Sequence, residues 1–319
     1  MNDNWDKVFP LLGEVNHKKV CFKNHFGIEL SADMYSPKKA AGKLPAIAVS
    51  GPFGAVKEQS SGLYAQEMAR RGFLTIAFDP SFTGESGGEP RYMNSPDINV
   101  EDFQAAVDFL SNLDEVNPDK ISIIGICGWG GMAIQTACID TRIKATVAVT
   151  MYDMSRVTGN GYFDGEDSEE ARYKKRVALN EQRTKDFKNG NYALGGGVVD
   201  DPTGMPDFVK QYYDYYKTKR GYHPRSLNSN GGWNVTASTS LLNTRLFTYA
   251  GEIRNAVMVV HGEKAHSRYF GEDAFKLLRG ENKELLIVPG ATHCDLYDGG
   301  EKGDKIPFDE IEKFIEKNI

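Results

Sequence analysis

The stretch ISIIGICGWGG, residues 121–131, ends an apolar β-branched run on a cysteine set among glycines. Gly125, Gly128, Gly130 and Gly131 permit a sharp strand-to-helix turn that pushes the Cys127 side chain out over a sheet edge. The helix N-terminus at that point favours a thiolate, so the chemistry expected there is nucleophilic attack by sulfur. The pattern follows the nucleophile elbow GxSxG except at its last position, which is Trp129. A buried structural cysteine is the competing reading. His293, in GATHCDLYD after the last apolar run, is a candidate general base. In SGPFGAVKEQ the backbone N–H of Phe53 or Gly54, together with that of Gly128, could hold an oxyanion.

These residues need a scaffold that brings distant loops to one edge. Runs at 44–50, 73–79, 121–126, 143–149, 256–262 and 284–290 are continuously apolar, as in parallel strands covered on both faces. Most are separated by helical patterns, for example Val100, Phe103, Val107 and Leu110, or Phe308, Ile311, Phe314 and Ile315. The alternation predicts an α/β domain in which both Cys127 and His293 follow strands. Residues 19–37 alternate around Gly27 and predict an antiparallel hairpin at the sheet edge. The core is expected over 1–150 and 254–319. Between them, 151–253 reads as an inserted helical cap, with a capping box at Asp167 and Glu170 and an aromatic helix carrying Tyr212, Tyr213, Tyr215 and Tyr216.

The 319 residues carry a formal charge of −6 and no basic block, so neither nucleic acid nor an anionic membrane surface is an expected partner. No run reaches the length of a membrane span, and the first residues lack the basic-then-apolar order of a signal peptide, so a cytoplasmic protein is expected. Cys21, Cys127, Cys138 and Cys294 are too scattered for a disulfide framework or a metal site, so free thiols and no metal are expected.

The segments GPFGAVKEQSSGLYAQEMARRGFLTIAFDPSFTGESGG, GICGWGGMA, AVTMYDM, GEKAHS and GATHCDLYD together resemble the α/β-hydrolase superfamily, in particular bacterial hydrolases related to the dienelactone hydrolases. The resemblance implies a mostly parallel eight-stranded sheet with helices on both faces. It also implies a Cys127 nucleophile, a His293 base and an acid, with no cofactor and a small acyl substrate. Where related sequences have Gly-x-x-Asp, this chain reads Gly262-Glu263-Lys264-Ala265. Glu263 is then the first candidate for the acid and Asp153 the second, unless there is none. Trp129 is expected to wall the pocket, and His266 to be structural or at the pocket rim. Asp79 and the TGESGG turn are read as scaffolding. The expected reaction is hydrolysis of an ester, lactone or thioester through an acyl-cysteine. Acyl transfer in the same site, a weakly catalytic binding protein and a redox-sensing Cys127 are the rivals, and the oligomeric state is open, a homodimer included.

Overall fold

The computed structural model describes residues 5–319. Eight strands form one sheet: β1 (Val15–Lys23), β2 (Glu29–Pro37), β3 (Leu44–Ser50), β4 (Leu74–Phe78), β5 (Val116–Ile126), β6 (Ile143–Val149), β7 (Ala256–Gly262) and β8 (Lys283–Val288). Their order is β1-β2-β4-β3-β5-β6-β7-β8. The pairings β1–β2 and β2–β4 are antiparallel and all others parallel, as the hairpin and the apolar runs predict.

The helices are α1 (Ser60–Arg70), α2 (Pro96–Ser111), α3 (Gly128–Ala137), α4 (Met154–Asn160), α5 (Glu169–Asn189), α6 (Asp207–Lys217), α7 (Leu227–Asn230), α8 (Thr239–Leu242), α9 (Arg268–Leu277), α10 (Asp295–Asp298) and α11 (Phe308–Asn318). From β3 the chain steps one way to β4 and from there back past β3 to β5, β6 and β7. Right-handed crossovers therefore put α1 on one face and α2 and α3 on the other. The packing agrees, with α2 against α3 and α11 against α1. This is the α/β-hydrolase architecture expected from the sequence. The strand order reverses beside β3, and the crevice outside the carboxyl ends of β3 and β5 is where such sheets bind ligands.

Helices α4 to α8 all lie between β6 and β7. The N-cap of α5 is Ser168, whose hydroxyl accepts the Ala171 N–H at 3.1 Å. The capping box expected at Asp167 is thus one residue early, and Asp167 instead pairs with Arg172. Among the described residues, no helix is long and apolar enough to cross a membrane.

Candidate active site

Cys127 is the N-cap of α3 and sits at φ 60°, ψ −128°. A β-carbon there is held in a sparsely populated conformation, which persists only where the surroundings over-determine it. Here Cys127 N–H donates to Val149 O at 2.9 Å, while Cys127 O accepts from Gly130 N–H and Tyr152 N–H. The close return of α3 requires Gly125, where a β-carbon would stand 2.0 Å from the Trp129 carbonyl oxygen.

The Tyr297 hydroxyl and the backbone N–H groups of Phe53 and Gly128 face the sulfur and favour its ionised form. Burial nevertheless pushes the Cys127 thiol up, and these donors offset that only in part. The resting group is therefore a thiol, which corrects the thiolate expected from the helix terminus. The magnitudes explain the outcome: a helix terminus is worth about 0.3–1 kcal/mol, under one pKa unit, whereas full burial can shift a group by about 3–5 units.

His293, in the turn before α10, and Tyr297, within α10, are both fully buried. His293 Nε2 and the Tyr297 hydroxyl are 2.8 Å apart, so the phenol stands between the imidazole and the sulfur. On the far side, His293 Nδ1 meets Ser267 Oγ at 2.6 Å and Thr150 Oγ1 at 2.9 Å. Burial, reinforced by His266 and His261 nearby, holds His293 well below its usual pKa, so the ring is neutral.

Among the described residues, no carboxylate is bonded to His293 Nδ1. Glu263 is exposed, and its carboxylate accepts the Gly290 N–H at 2.8 Å. Asp153 caps α4, accepting the Arg156 N–H at 2.9 Å and the Ser155 hydroxyl at 2.6 Å. Both candidates for the acid are corrected: two hydroxyls occupy the position they were expected to fill. Replacing Glu263 by Gln should accordingly change kcat less than twofold and stability within about 0.5 kcal/mol, the range of ordinary surface substitutions. Steady-state kinetics and a thermal melt check both figures.

A cavity of about 160 Å³ opens on the sulfur, lined by Phe53, Cys127, Tyr152, Met154, Val157, Tyr162, Val198, Tyr212, Tyr216, Asn228 and Tyr297. Trp129 is not among them. It packs edge-on against Phe78 and Phe103 in the core, and Asp153 faces a separate polar groove. Tyr212 and Tyr216, one turn apart on α6, share the face turned to the cavity. Tyr215 instead packs on Tyr297, with ring centroids 5.0 Å apart. His266 lies behind this wall, its Nε2 bonded to the Tyr152 hydroxyl and its pKa held down to about 4 by burial.

The loop carrying the Phe53 N–H is clamped by the segment around α7. Asn228 Nδ2 donates to Phe53 O at 2.8 Å, while Asn228 N–H and Ser226 Oγ donate to Gly54 O at 3.1 and 2.9 Å. The Phe53 ring stacks on Trp233, with centroids 4.3 Å apart. Asn228→Ala should lower kcat about tenfold, a fraction of the loss on deleting an oxyanion donor outright, with a smaller change in KM. An unchanged kcat would show that the loop holds itself.

Glu58, Asp79 and Glu85 also converge, but their charge is met by the buried Lys57 ammonium, 2.6 Å from Glu58 and 3.1 Å from Asp79. Asp79 further accepts the backbone N–H groups of Lys57 and Glu85, a scaffolding role as read from the sequence.

Known proteins carry the same architecture. Over its whole length the chain is 53% identical to the uncharacterized protein PA2218 of Pseudomonas aeruginosa, covering 85% of it. The crystal structure of PA2218 superposes with a TM-score of 0.96 at 52% identity, over 100% of this chain and 98% of that one. The α/β hydrolase GrgF of Penicillium sp. sh18 superposes at 0.76 with 20% identity, over 95% and 99% of the two chains, a likeness of fold. The thiohydrolase aneE of Aspergillus aculeatus is 32% identical over 43% of this chain and 42% of its own. Residues 27–291 match the family described as X-Pro dipeptidyl-peptidase (S15 family), of the α/β-hydrolase clan. The superfamily expectation therefore holds, while the matching family is named for peptidases and not for dienelactone hydrolases. By this match over most of its length, the chain belongs to the X-Pro dipeptidyl-peptidase (S15) family and has the α/β-hydrolase fold.

Proposed function

We propose that the protein hydrolyses ester, lactone or thioester bonds through an acyl-cysteine on Cys127. The observation that carries this is the placement of one sulfur, in a conformation few residues adopt, between two backbone N–H donors and a Tyr297–His293 pair, at the wall of a cavity. As Sγ bonds to the acyl carbon, its proton passes to the Tyr297 oxygen while the Tyr297 proton passes to His293 Nε2. The Phe53 and Gly128 N–H groups take up the charge developing on the carbonyl oxygen. Collapse breaks the bond to the leaving group, which receives a proton returned along the same path. Water then attacks the thioester, gives its proton to the pair and releases the acid and the free thiol.

A neutral imidazole suits this sequence, since it can accept a proton at once. Its charged form is disfavoured by burial and by two neighbouring histidines. An amide, whose leaving amine needs full protonation, is therefore a poorer substrate than an activated acyl group, whatever the name of the family. Partial similarity to a thiohydrolase supports the thioester end of the range.

The absence of a carboxylate on His293 favours acyl transfer as a second reading, because a weaker base activates water less well than it activates a thiol. Product partition with added thiols separates the two. The central test is intact-mass analysis after brief exposure to p-nitrophenyl acetate. A single acetyl group mapping to Cys127 is expected. Acetylation elsewhere, or none, would overturn the reading.

A further inference from the structure

We infer that the group transferred to Cys127 is an uncharged acyl chain of about one aromatic ring, benzoyl or phenylacetyl in size, with the leaving group outside the cavity. This rests on the acyl-cysteine reading and specifies its substrate. The cavity measures about 160 Å³. An engineered apolar cavity of about 150 Å³ takes up benzene, so the space suits one ring, and a fused pair or a long alkyl chain would project beyond its walls.

The lining decides the charge. Of the eleven residues that form the wall none is Asp, Glu, Lys, Arg or His, and six are aromatic: Phe53, Tyr152, Tyr162, Tyr212, Tyr216 and Tyr297. An anionic tail would lose its water with no counter-charge to meet it. A planar neutral ring would instead find edges and faces already fixed. Phe53 is held on Trp233, and Tyr212 is braced by Tyr216 at 6.4 Å and by the His293 ring at 5.4 Å between centroids. Aromatic walls of this kind accept a further ring in offset or edge-on contact.

The orientation follows from exposure. Tyr162 is the one exposed residue of the wall, at 41%, whereas Tyr152, Tyr216 and Tyr297 are buried. The acyl ring therefore lies toward these buried tyrosines, and the leaving group passes out by Tyr162. The same aromatic wall could in principle cage a quaternary ammonium, and the test includes that outcome.

Two measurements test the inference. In the first, p-nitrothiophenyl esters of acetic, benzoic, phenylacetic, 2-naphthoic, dodecanoic and succinic acids are compared by kcat/KM. The benzoyl and phenylacetyl esters should exceed the naphthoyl, dodecanoyl and succinyl esters by about tenfold or more, the scale on which a pocket discriminates by fit. Tyr216→Leu should raise the naphthoyl-to-benzoyl ratio. In the second, benzamide, benzoate and benzyltrimethylammonium are titrated into the native protein by calorimetry, which requires no turnover. Benzamide alone should bind. Equal rates for all acyl groups, preference for succinyl, or tighter binding of the ammonium would overturn the inference. Acetyl-Cys127 formed without ring preference would sink this inference and spare the mechanism. No acyl-Cys127 from any donor would sink the mechanism, and benzamide binding would then decide the cavity alone.

Discussion

Cys127→Ala should abolish turnover of every acyl donor, with kcat falling on the order of 10⁴-fold or more, as when the nucleophile of a concerted catalytic set is removed. The circular dichroism and melting temperature should stay close to native. Alanine keeps the backbone bonds from Cys127 N–H to Val149 O and from Gly130 and Tyr152 N–H to Cys127 O that define the turn. Cys127→Ser is the sharper comparison. Its hydroxyl is a much weaker acid than a thiol, and the imidazole beyond Tyr297 is backed by the Ser267 and Thr150 hydroxyls in place of a carboxylate, so restoring an oxygen nucleophile should recover little. Turnover retained by the alanine variant would place the chemistry elsewhere. The resting state also orders the reactivity of the thiols: at neutral pH iodoacetamide should label the exposed Cys21 before the buried, protonated Cys127.

The second large effect belongs to Tyr297. Its hydroxyl is 2.8 Å from His293 Nε2 and faces Cys127 Sγ. Tyr297→Phe keeps the ring packed against Tyr215 and removes only that oxygen. We expect kcat to fall about 10²–10³-fold, the worth of a positioned proton-transfer group, with KM little changed. If His293 simply swung onto the sulfur, the loss would be slight and the phenol would be no conduit. The pH profile supplies a readout that packing alone would not move. The proton acceptor must be neutral, and burial holds His293 well below the usual 6.5, so its competent form persists as the medium becomes acidic. The acid limb of kcat/KM should therefore lie below pH 6.5. At the other end Cys127 is raised above its usual 9.0, so no ionisation of the nucleophile should shape the profile at neutral pH. A bell centred on neutrality would instead indicate a thiolate–imidazolium pair. Ser267→Asp should move the acid limb upward, because a carboxylate at Nδ1 stabilises the charged ring.

Much of this arrangement can be read from the chain. The apolar runs locate the parallel strands because buried strands have no polar face to interrupt them. Cys127, Phe53 and His293 can be placed together because each follows such a run and therefore lies at the same sheet edge. What escapes is the direction in which side chains point. Trp129 adjoins the cysteine in sequence but lies two residues on, about 200° around a helix, so it turns into the core. Glu263 has the right chemical type near the right strand, yet the partner of His293 is set by where α9 begins, and that start puts the Ser267 hydroxyl beneath the ring. His293 lies in the turn before α10 and Tyr297 within it, a spacing of four residues. It gave no signal as chemistry because tyrosines at that spacing usually just pack. The balance between burial and a helix terminus at Cys127 depends on what covers the sulfur, which no local pattern encodes.

The neighbours β6 and β7 are hydrogen-bonded directly to each other, although the chain runs through five helices between them. The whole excursion is thus a detour in sequence that leaves the ladder beneath it continuous. Phe53, Cys127, His293 and Tyr297 all come from outside this detour, whereas Tyr162, Val198, Tyr212, Tyr216 and Asn228 come from within it. The detour thus supplies most of the cavity wall, and it also lends Asn228 to the Phe53 loop and Thr150 to the His293 ring. Exchanging the detour between homologues should therefore change the cavity wall while leaving the strand pairings untouched.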